Sequence, residues 1–214
     1  MLNIIGLKGL KIDQKYIDGG VYMINTMETL KLPEGDFYSN VLKFTPEDRQ
    51  ALIAIYESWR TLCGNLSYVS ARGVNLPEGL SESAFCLATG TWRITKSING
   101  ANSSMDCYDP MGKRGSNRIQ VKACSVIPDL TSFGPNTEWD RIFFVDFYRE
   151  GRWDGTFDIY ELNTSDINNY PVNAYETVAD QKKQNRRPRF SIYNGLIKCG
   201  RYIYKRTYSI YDAY

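Results

Sequence analysis

Apolar residues recur at helical spacing in two segments of the first half of the chain. Thr45 and Pro46 have the residue types of a helix N-cap and a first helical position, and they precede the apolar set Leu52, Ile55, Tyr56, Trp59 and Leu62. A second helix is predicted with Ser81 as its cap, Glu82 in its first turn and the apolar set Ala84, Phe85, Leu87, Ala88 and Trp92. We expect both helices to pack on the core.

The other regular patterns predict strands and one more helix. Strand candidates separated by turn residues cover 104–108, 118–124, 141–148 and 156–162. Residues 1–44 mix short alternating stretches with the turn Pro33-Glu34-Gly35-Asp36, which predicts strands or hairpins. The last helix is predicted to begin at Asn173, with Glu176 at the capping-box position, and to end before Pro188.

The strand 118–124 places two polar side chains on one face. Gln120 and Lys122 alternate with the apolar residues Ile119, Val121 and Ala123. Because successive side chains of a strand point to opposite faces, the polar pair lies opposite the apolar set. Taken alone, such a pair is met more often as a solvated strand face than as a functional site.

A predicted hairpin adds a carboxylate to this pair. Residues 109–115 are rich in turn-forming types and separate the strand ending at Tyr108 from the strand beginning at Arg118. If Tyr108 lies opposite Arg118, antiparallel pairing places Asp106 opposite Gln120. In that register the side chains of Asp106, Gln120 and Lys122 converge.

The absence of histidine excludes several mechanisms. Ser-His-Asp and Cys-His catalysis, histidine-ligated zinc and histidine-dependent nucleases all need an imidazole, and no other side chain titrates near neutral pH without a strong pKa shift. The cysteines are odd in number, widely spaced and never form a Cys-x-x-Cys pair, so we expect neither a disulfide framework nor a zinc cage. Carboxylate, lysine and metal chemistry remain.

The converging side chains have the residue types that phosphodiester hydrolysis needs. A divalent ion polarises the phosphate and lowers the pKa of a water, and a nearby cation stabilises the developing charge. Magnesium prefers hard oxygen ligands, which the Asp106 carboxylate, the Gln120 amide oxygen and the Val121 carbonyl can supply. Lys122 would orient or activate the attacking water.

The net charge of +2 hides an uneven distribution along the chain. Between residues 182 and 206 there is no acidic residue, and the basic residues are Lys182, Lys183, Arg186, Arg187, Arg189, Lys198, Arg201, Lys205 and Arg206. Such a run is typical of a phosphate-binding surface, and a solvated basic tail is the alternative.

Length and hydropathy predict one compact cytoplasmic domain. A chain of 214 residues is long enough to bury a sizeable core. No apolar run approaches the length of a membrane span, and the first residues lack the basic and apolar regions of a signal peptide. We therefore expect no association with a membrane.

Several ordered motifs between about residue 52 and about residue 193 carry a family resemblance. They run from Arg72 to Glu78 followed by Ser81-Glu82, from Asp106 to Pro110, from Gln120 to Ala123, from Asp129 to Pro135 and from Asp180 to Pro188. With these motifs the sequence resembles the small type II restriction endonucleases of prokaryotes that read GC-rich interrupted palindromes of the type GC-N-GC. The resemblance implies an α/β fold with a PD-(D/E)XK core, in which helices flank a mixed central sheet.

We expect residues 1–214 to form a single nuclease domain with variable N-terminal strands or hairpins in 1–44, a catalytic core in 45–193 and a basic, tyrosine-rich segment in 194–214. The first and last of these segments lie outside the resemblance, and their roles are open. The resemblance also implies the roles of the site residues. Asp106 and position 120 are the implied ligands of Mg²⁺, and Lys122 is the implied catalytic lysine.

One residue departs from the family pattern. Gln120 stands where the motif usually has glutamate, which leaves the metal site one charge weaker and a second metal ion dependent on another carboxylate. Glu82 is a candidate for that carboxylate, with a first-turn partner of the helix dipole as its alternative role. Asp109 is predicted as a turn residue before Pro110.

Residues 181–189, which we call the basic segment, are expected to contact double-stranded DNA. We predict that Gln184, Arg186 and Arg187 approach the bases, while Lys182, Lys183 and Arg189 hold phosphates, with phosphate contacts for all six as the alternative. The loop 129–136 would touch DNA or support the site. A palindromic site predicts a homodimer, and a partner methyltransferase would be encoded separately.

Two other functions remain open at this point. One is another enzyme of the same fold, such as a nicking, mismatch-repair or junction nuclease. The other is a DNA-binding protein whose nuclease centre is degenerate, which Gln120 motivates.

Overall fold

The computed structural model describes residues 23–69, 73–102 and 104–212. The strands predicted before residue 23, Arg72 of the resemblance motif and the C-terminal Tyr214 lie outside the described residues. No helix in the described ranges is long and apolar enough to cross a membrane.

The described residues form ten strands, five α-helices and three short 3₁₀ turns. The strands are β1 (Ile24–Leu32), β2 (Gly35–Lys43), β3 (Trp92–Ile94), β4 (Cys107–Tyr108), β5 (Arg118–Cys124), β6 (Thr131–Ser132), β7 (Arg141–Asp146), β8 (Thr156–Leu162), β9 (Arg189–Phe190) and β10 (Tyr204–Ser209). The helices are α1 (Arg49–Leu66), α2 (Glu78–Thr89), α3 (Thr164–Asn168), α4 (Val178–Lys183) and α5 (Ile192–Gly195). Short 3₁₀ turns occupy Pro46–Asp48, Arg149–Gly151 and Ile197–Cys199.

Eight strands form one mixed sheet in the order β1-β2-β3-β4-β5-β7-β8-β10. Only the β5–β7 pair of this sheet is parallel among the described strands. β6 and β9 form a separate antiparallel pair. The predicted class, an α/β fold with helices flanking a mixed sheet, is confirmed.

Apolar clusters cover both faces of the sheet at β7, whose side chains alternate between them. Phe143 and Val145 pack with residues of α1 and α2 on one face. Ile142 and Phe144 pack on the other face with Ile167 of α3 and other residues from the second half of the chain. The helix that carries part of the site, α2, is therefore held against the centre of the sheet.

Helix starts are the features that the sequence predicted least well. The start at Thr45 is confirmed, with the Thr45 amide donating to Asp48 Oδ2 at 2.7 Å. Ser81 as a cap is wrong, because α2 begins one turn earlier, after Pro77, and the Ser81 hydroxyl donates to the Glu78 carbonyl at 3.0 Å. The helix ends at Thr89 with Gly90 in a left-handed conformation, which leaves Trp92 in β3.

The helix predicted from Asn173 begins later in the structure. Asn173 Oδ1 accepts hydrogen bonds at 2.9 Å from the amides of Tyr175 and Glu176, which makes a local turn that competes with a helix. Thr177 is the N-cap of α4, with Asp180 completing the capping box. Asp146 ends β7 in a similar way, accepting from the Tyr148 amide at 2.9 Å, so the strand stops two residues before its predicted end.

The attachment of α2 to the sheet gives a stability prediction. Phe85 is fully buried, and its ring centroid lies 5.0 Å from that of Phe143. Phe85→Ala should lower the free energy of unfolding by about 3–5 kcal/mol through lost burial and a residual cavity. Urea unfolding measures this loss, with Phe85→Leu as the milder control. A loss below about 1 kcal/mol would contradict this packing.

Candidate active site

The β4–β5 hairpin brings Asp106 and Gln120 together in the predicted register. Tyr108 lies opposite Arg118 and Cys107 opposite Ile119. One position further, the Asp106 amide donates to the Ile119 carbonyl at 2.9 Å. Asp106 Oδ2 accepts hydrogen bonds from the Gln120 side-chain amide and from the Val121 amide, the latter at 2.7 Å.

Helix α2 adds two carboxylates to this corner of the sheet. One oxygen each of Glu78, Glu82 and Asp106 lies within 4.8 Å of the others, and we call these three residues the carboxylate cluster. Glu78 and Glu82 share a helix face because they are one turn apart. Glu82, which the sequence offered as a further ligand, therefore lies in the site rather than in the first helical turn.

Glu78 is not among the site residues predicted from the sequence. The helix was expected to begin at Ser81, which placed Glu78 before it. The available signal was its spacing from Glu82, since acids four residues apart lie side by side once Pro77 marks the helix start. A helix start after Pro77 places both acids on one helix face.

Burial raises the pKa values of two members of the cluster. The pKa of Glu82 is raised to about 8 by burial and by the charge of Asp106, and Arg93 opposes this shift with its Nε 2.6 Å from Glu82 Oε2. The pKa of Asp106 is raised to about 6 by burial, against the positive charge of Lys122. Like charges crowded in a poorly solvated corner favour a bound cation.

The donor set fits a divalent cation. The Oε1 atom of Gln120 is buried and has no hydrogen-bond partner among the described residues, and it belongs to the amide that contacts Asp106. Carboxylate and amide oxygens are the hard ligands that Mg²⁺ prefers. Val121 contributes its amide to Asp106, while a role for its carbonyl as a ligand remains a prediction.

Lys122 follows on the same strand and is half-buried. Its charge acts on Asp106, whose pKa it lowers. Within the described ranges its ammonium has neither a hydrogen bond nor an ion pair, so it is available to a substrate.

Asp109 lies outside the cluster and is a turn residue, as predicted. Its Oδ1 accepts from the amides of Met111 at 2.9 Å and Gly112 at 3.1 Å, and its Oδ2 is 3.2 Å from Arg141. These contacts leave it no role as a ligand of the site.

Three of the six residues predicted to bind DNA make contacts within the protein. Lys182 is half-buried, lies 4.8 Å from the Trp139 ring centroid and donates to the Thr137 carbonyl at 3.1 Å. The side chains of Gln184 and Arg186 turn to Glu176, with Gln184 Nε2 at 3.0 Å from Glu176 Oε1. The other three of the six, Lys183, Arg187 and Arg189, are exposed, and their side chains make no hydrogen bond with the described residues.

The loop after β5 contacts the end of the basic segment. β6 pairs with β9, so Ser132 lies opposite Arg189. Asp129 is buried and accepts from the Ile192 amide at 2.9 Å and the Thr131 hydroxyl at 3.0 Å. These contacts fix the loop to the end of the basic segment, and both roles expected for 129–136, touching DNA and supporting the site, stay predictions.

The cluster gives a metal-binding prediction. Glu78→Gln and Glu82→Gln should each weaken binding of Mg²⁺ or Mn²⁺ by about tenfold or more, because each removes a charged ligand. Isothermal titration calorimetry measures the affinities. Glu150→Gln, which changes an exposed carboxylate outside the cluster, serves as the control. If all these variants bound the metal with equal affinity, the carboxylate cluster would not be the metal site.

The raised pKa values give a pH prediction. A cation displaces protons from the carboxylates, so its affinity should rise as the pH passes about 6 for Asp106 and about 8 for Glu82. The stability of the metal-free protein should change in the opposite direction, falling as the pH rises. A carboxyl whose pKa is raised on folding stabilises the fold at low pH, and this contribution is lost as the pH rises through the raised pKa. Calorimetric titrations over this range should show the rise, and a pH-independent affinity would contradict it.

Comparisons with known proteins identify the family of the chain. The family model described as Bsp6I restriction endonuclease matches residues 44–199. The type II restriction enzyme Bsp6I of Bacillus sp. (strain RFL6) is 31% identical over 149 residues, which cover 68% of this chain and 79% of that enzyme. No solved structure matches.

The match spans the hairpin, α2 and the basic segment. It confirms the predicted class of enzyme, a nuclease of restriction systems. The chain belongs to the Bsp6I restriction endonuclease family.

Proposed function

We propose that this chain is a type II restriction endonuclease that hydrolyses double-stranded DNA with Mg²⁺ at a short GC-rich interrupted palindrome. The observation that carries the proposal is the carboxylate cluster beside Gln120 and Lys122 in a chain of this family. The order of the hairpin residues supports a PD-(D/E)XK core, with Gln120 in the position of the usual acid.

Asp106, Gln120 and the two glutamates of α2 would hold the metal. When bound, the ion supplies Lewis acidity toward the phosphate and lowers the pKa of a water. Glu78, and Glu82 once a bound cation displaces its proton, would provide the negative charge that Gln120 lacks. Arg93 holds Glu82 in place through the contact at 2.6 Å.

Lys122 acts on the reacting groups directly. Its ammonium lies beside Asp106 and has no partner in the described ranges, so it can donate to the attacking water or to a phosphate oxygen. Because the lysine is half-buried, its charge is less screened by solvent than that of a surface lysine. In this position it stabilises the negative charge that develops during hydrolysis.

The basic segment would bind the DNA. Lys183 and Arg189 are exposed and suited to phosphates, and the half-buried Lys182 is assigned to the same role. Arg186, Arg187 and Gln184 are assigned to the bases. A palindrome read in this way calls for a homodimer in which each subunit cuts one strand. A separate methyltransferase would protect the host DNA, and the enzyme would act in the cytoplasm.

A DNA-binding protein with a degenerate nuclease centre is the second candidate. Gln120 favours it, because a neutral ligand binds a cation more weakly than a carboxylate. The cluster from α2 argues against it, since a degenerate centre has no need to keep buried carboxylates whose pKa values are raised. A nicking or repair nuclease of the same fold would differ in its products rather than in its site.

Digestion of unmethylated DNA of known sequence tests the proposal. With Mg²⁺ we expect discrete double-stranded ends that share one short GC-rich palindrome, and no cutting in the presence of a chelator. Single-strand nicks would favour a nicking enzyme. Binding without cutting in Mg²⁺ or Mn²⁺ would favour the degenerate protein, and Gln120→Glu would then be the substitution that restores cutting.

The role of Lys122 gives a kinetic prediction. Lys122→Ala should lower the single-turnover cleavage rate by at least about 100-fold, because it removes the positioned cation, while DNA binding changes little. Lys96→Ala, at an exposed lysine, is the matched control. Undiminished cutting by Lys122→Ala would refute its role.

A further inference from the structure

One carboxylate organises the side chains of the basic segment. Glu176 Oε2 accepts from Asn173 Nδ2 at 3.0 Å and from Gln181 Nε2 at 3.1 Å. Glu176 Oε1 accepts from Gln184 Nε2 at 3.0 Å and from the Arg186 guanidinium. Each of the two oxygens therefore accepts two hydrogen bonds.

Glu176 is itself held on both sides by backbone contacts. The Asn173 side chain accepts from the Glu176 amide at 2.9 Å, and the Glu176 carbonyl accepts from the Val172 amide at 2.9 Å. The next residue, Thr177, is the N-cap of α4. The carboxylate therefore has a defined position relative to the helix that begins the basic segment.

The partners are placed by the end of α4. Gln181 is buried within α4, while Gln184 and Arg186 are exposed residues that follow the helix. Asn185 between them has φ 58°, and this left-handed turn lets the Arg186 amide donate to the Gln181 carbonyl at 2.9 Å. The turn brings the side chains of Gln184 and Arg186 to the same carboxylate oxygen.

The charge of Glu176 is unfavourable for general DNA binding. Hydrogen bonds, first of all from Arg186, lower its pKa to about 2, so it is ionised at neutral pH. An ionised acid paired with Arg186 offsets one positive charge of the basic segment and so weakens its attraction for phosphates. The same pairing holds the Arg186 guanidinium in one geometry.

We propose that Glu176 is a positioning residue for sequence discrimination, which fixes Arg186 and Gln184 as a pair aimed at base edges. This inference rests on the proposed function. An arginine side chain held by a carboxylate has lost its rotamer freedom before binding, so the correct base is bound at lower entropic cost. A wrong base leaves the fixed donors unpaired, and this raises the discrimination.

The test compares cleavage of the site found by digestion with cleavage of sites that differ from it at one base pair. Glu176→Gln removes the charge while keeping the size of the side chain. The matched control is Asp166→Asn, which removes the carboxylate of another exposed ion pair, with Asp166 2.6 Å from Arg201. In that pair the arginine is 43% exposed and the carboxylate 25%. The corresponding values for Arg186 and Glu176 are 46% and 23%. Thermal unfolding of each variant separates effects on stability from effects on discrimination.

We expect Glu176→Gln to lower the ratio of correct to altered-site cleavage by about 5- to 150-fold, the range of one bidentate base contact. Asp166→Asn should leave the ratio unchanged. The salt dependence of DNA binding should change little in Glu176→Gln, because the cations that contact phosphates remain. A loss of stability alone would not move this ratio.

If Glu176→Gln does not fold, substitutions of the exposed residues Arg186 and Gln184 test the same inference. Arg186→Ala and Gln184→Ala should each lower the ratio, and the double variant should lose less than the product of the two separate losses. If the wild type cuts one defined site and the ratio is unchanged in Glu176→Gln, or in both alanine variants, the inference is wrong and the proposed function stands. If the wild type cuts no DNA with Mg²⁺ or Mn²⁺, both are wrong.

Discussion

The pairing of β4 with β5 is the constraint on which the rest of the site depends. Cys107 lies opposite Ile119, and a shift by one residue would turn Asp106 and Gln120 to opposite faces. The apolar cluster under α2 prevents such a shift, because Cys107 and Ile119 are fully buried there. The energy that fixes the register is therefore hydrophobic, although its functional result is the placement of polar groups.

The site combines stored negative charge with limited solvation. Helix α2 is held on the sheet by Phe85, so Glu82 lies close to Asp106 despite the cost of bringing two carboxylates together. Arg93 and Lys122 offset part of that cost, since each lowers the pKa of one of these acids. Part of the cost remains, which is why both pKa values stay above the ordinary range and why a divalent cation suits this corner.

Sequence alone predicted the β4–β5 hairpin, because its residue pattern is compatible with few structures. The alternation around Gln120 fits only a strand, and the turn-rich loop before it left few registers, so the hairpin was predicted correctly. Helix starts were less predictable because several residues can cap a helix locally, and the choice between Pro77 and Ser81 depends on tertiary packing. Glu78 was missed for that reason. The contacts of Glu176 with Gln184 and Arg186 link a turn to residues after the next helix, which no local pattern encodes.

The two functional parts of the chain are joined by short, well-anchored connections. β5 carries the hairpin residues, and the chain leads from it through Asp129 to β6, which pairs with β9 at the end of the basic segment. Asp129 also accepts from the amides of Ile192 and Tyr193, so it fixes the start of α5 to the same loop. A group bound by the basic segment is thereby placed relative to β5 through paired strands and buried hydrogen bonds. These pairings fix the position of the basic segment relative to the carboxylate cluster and β5.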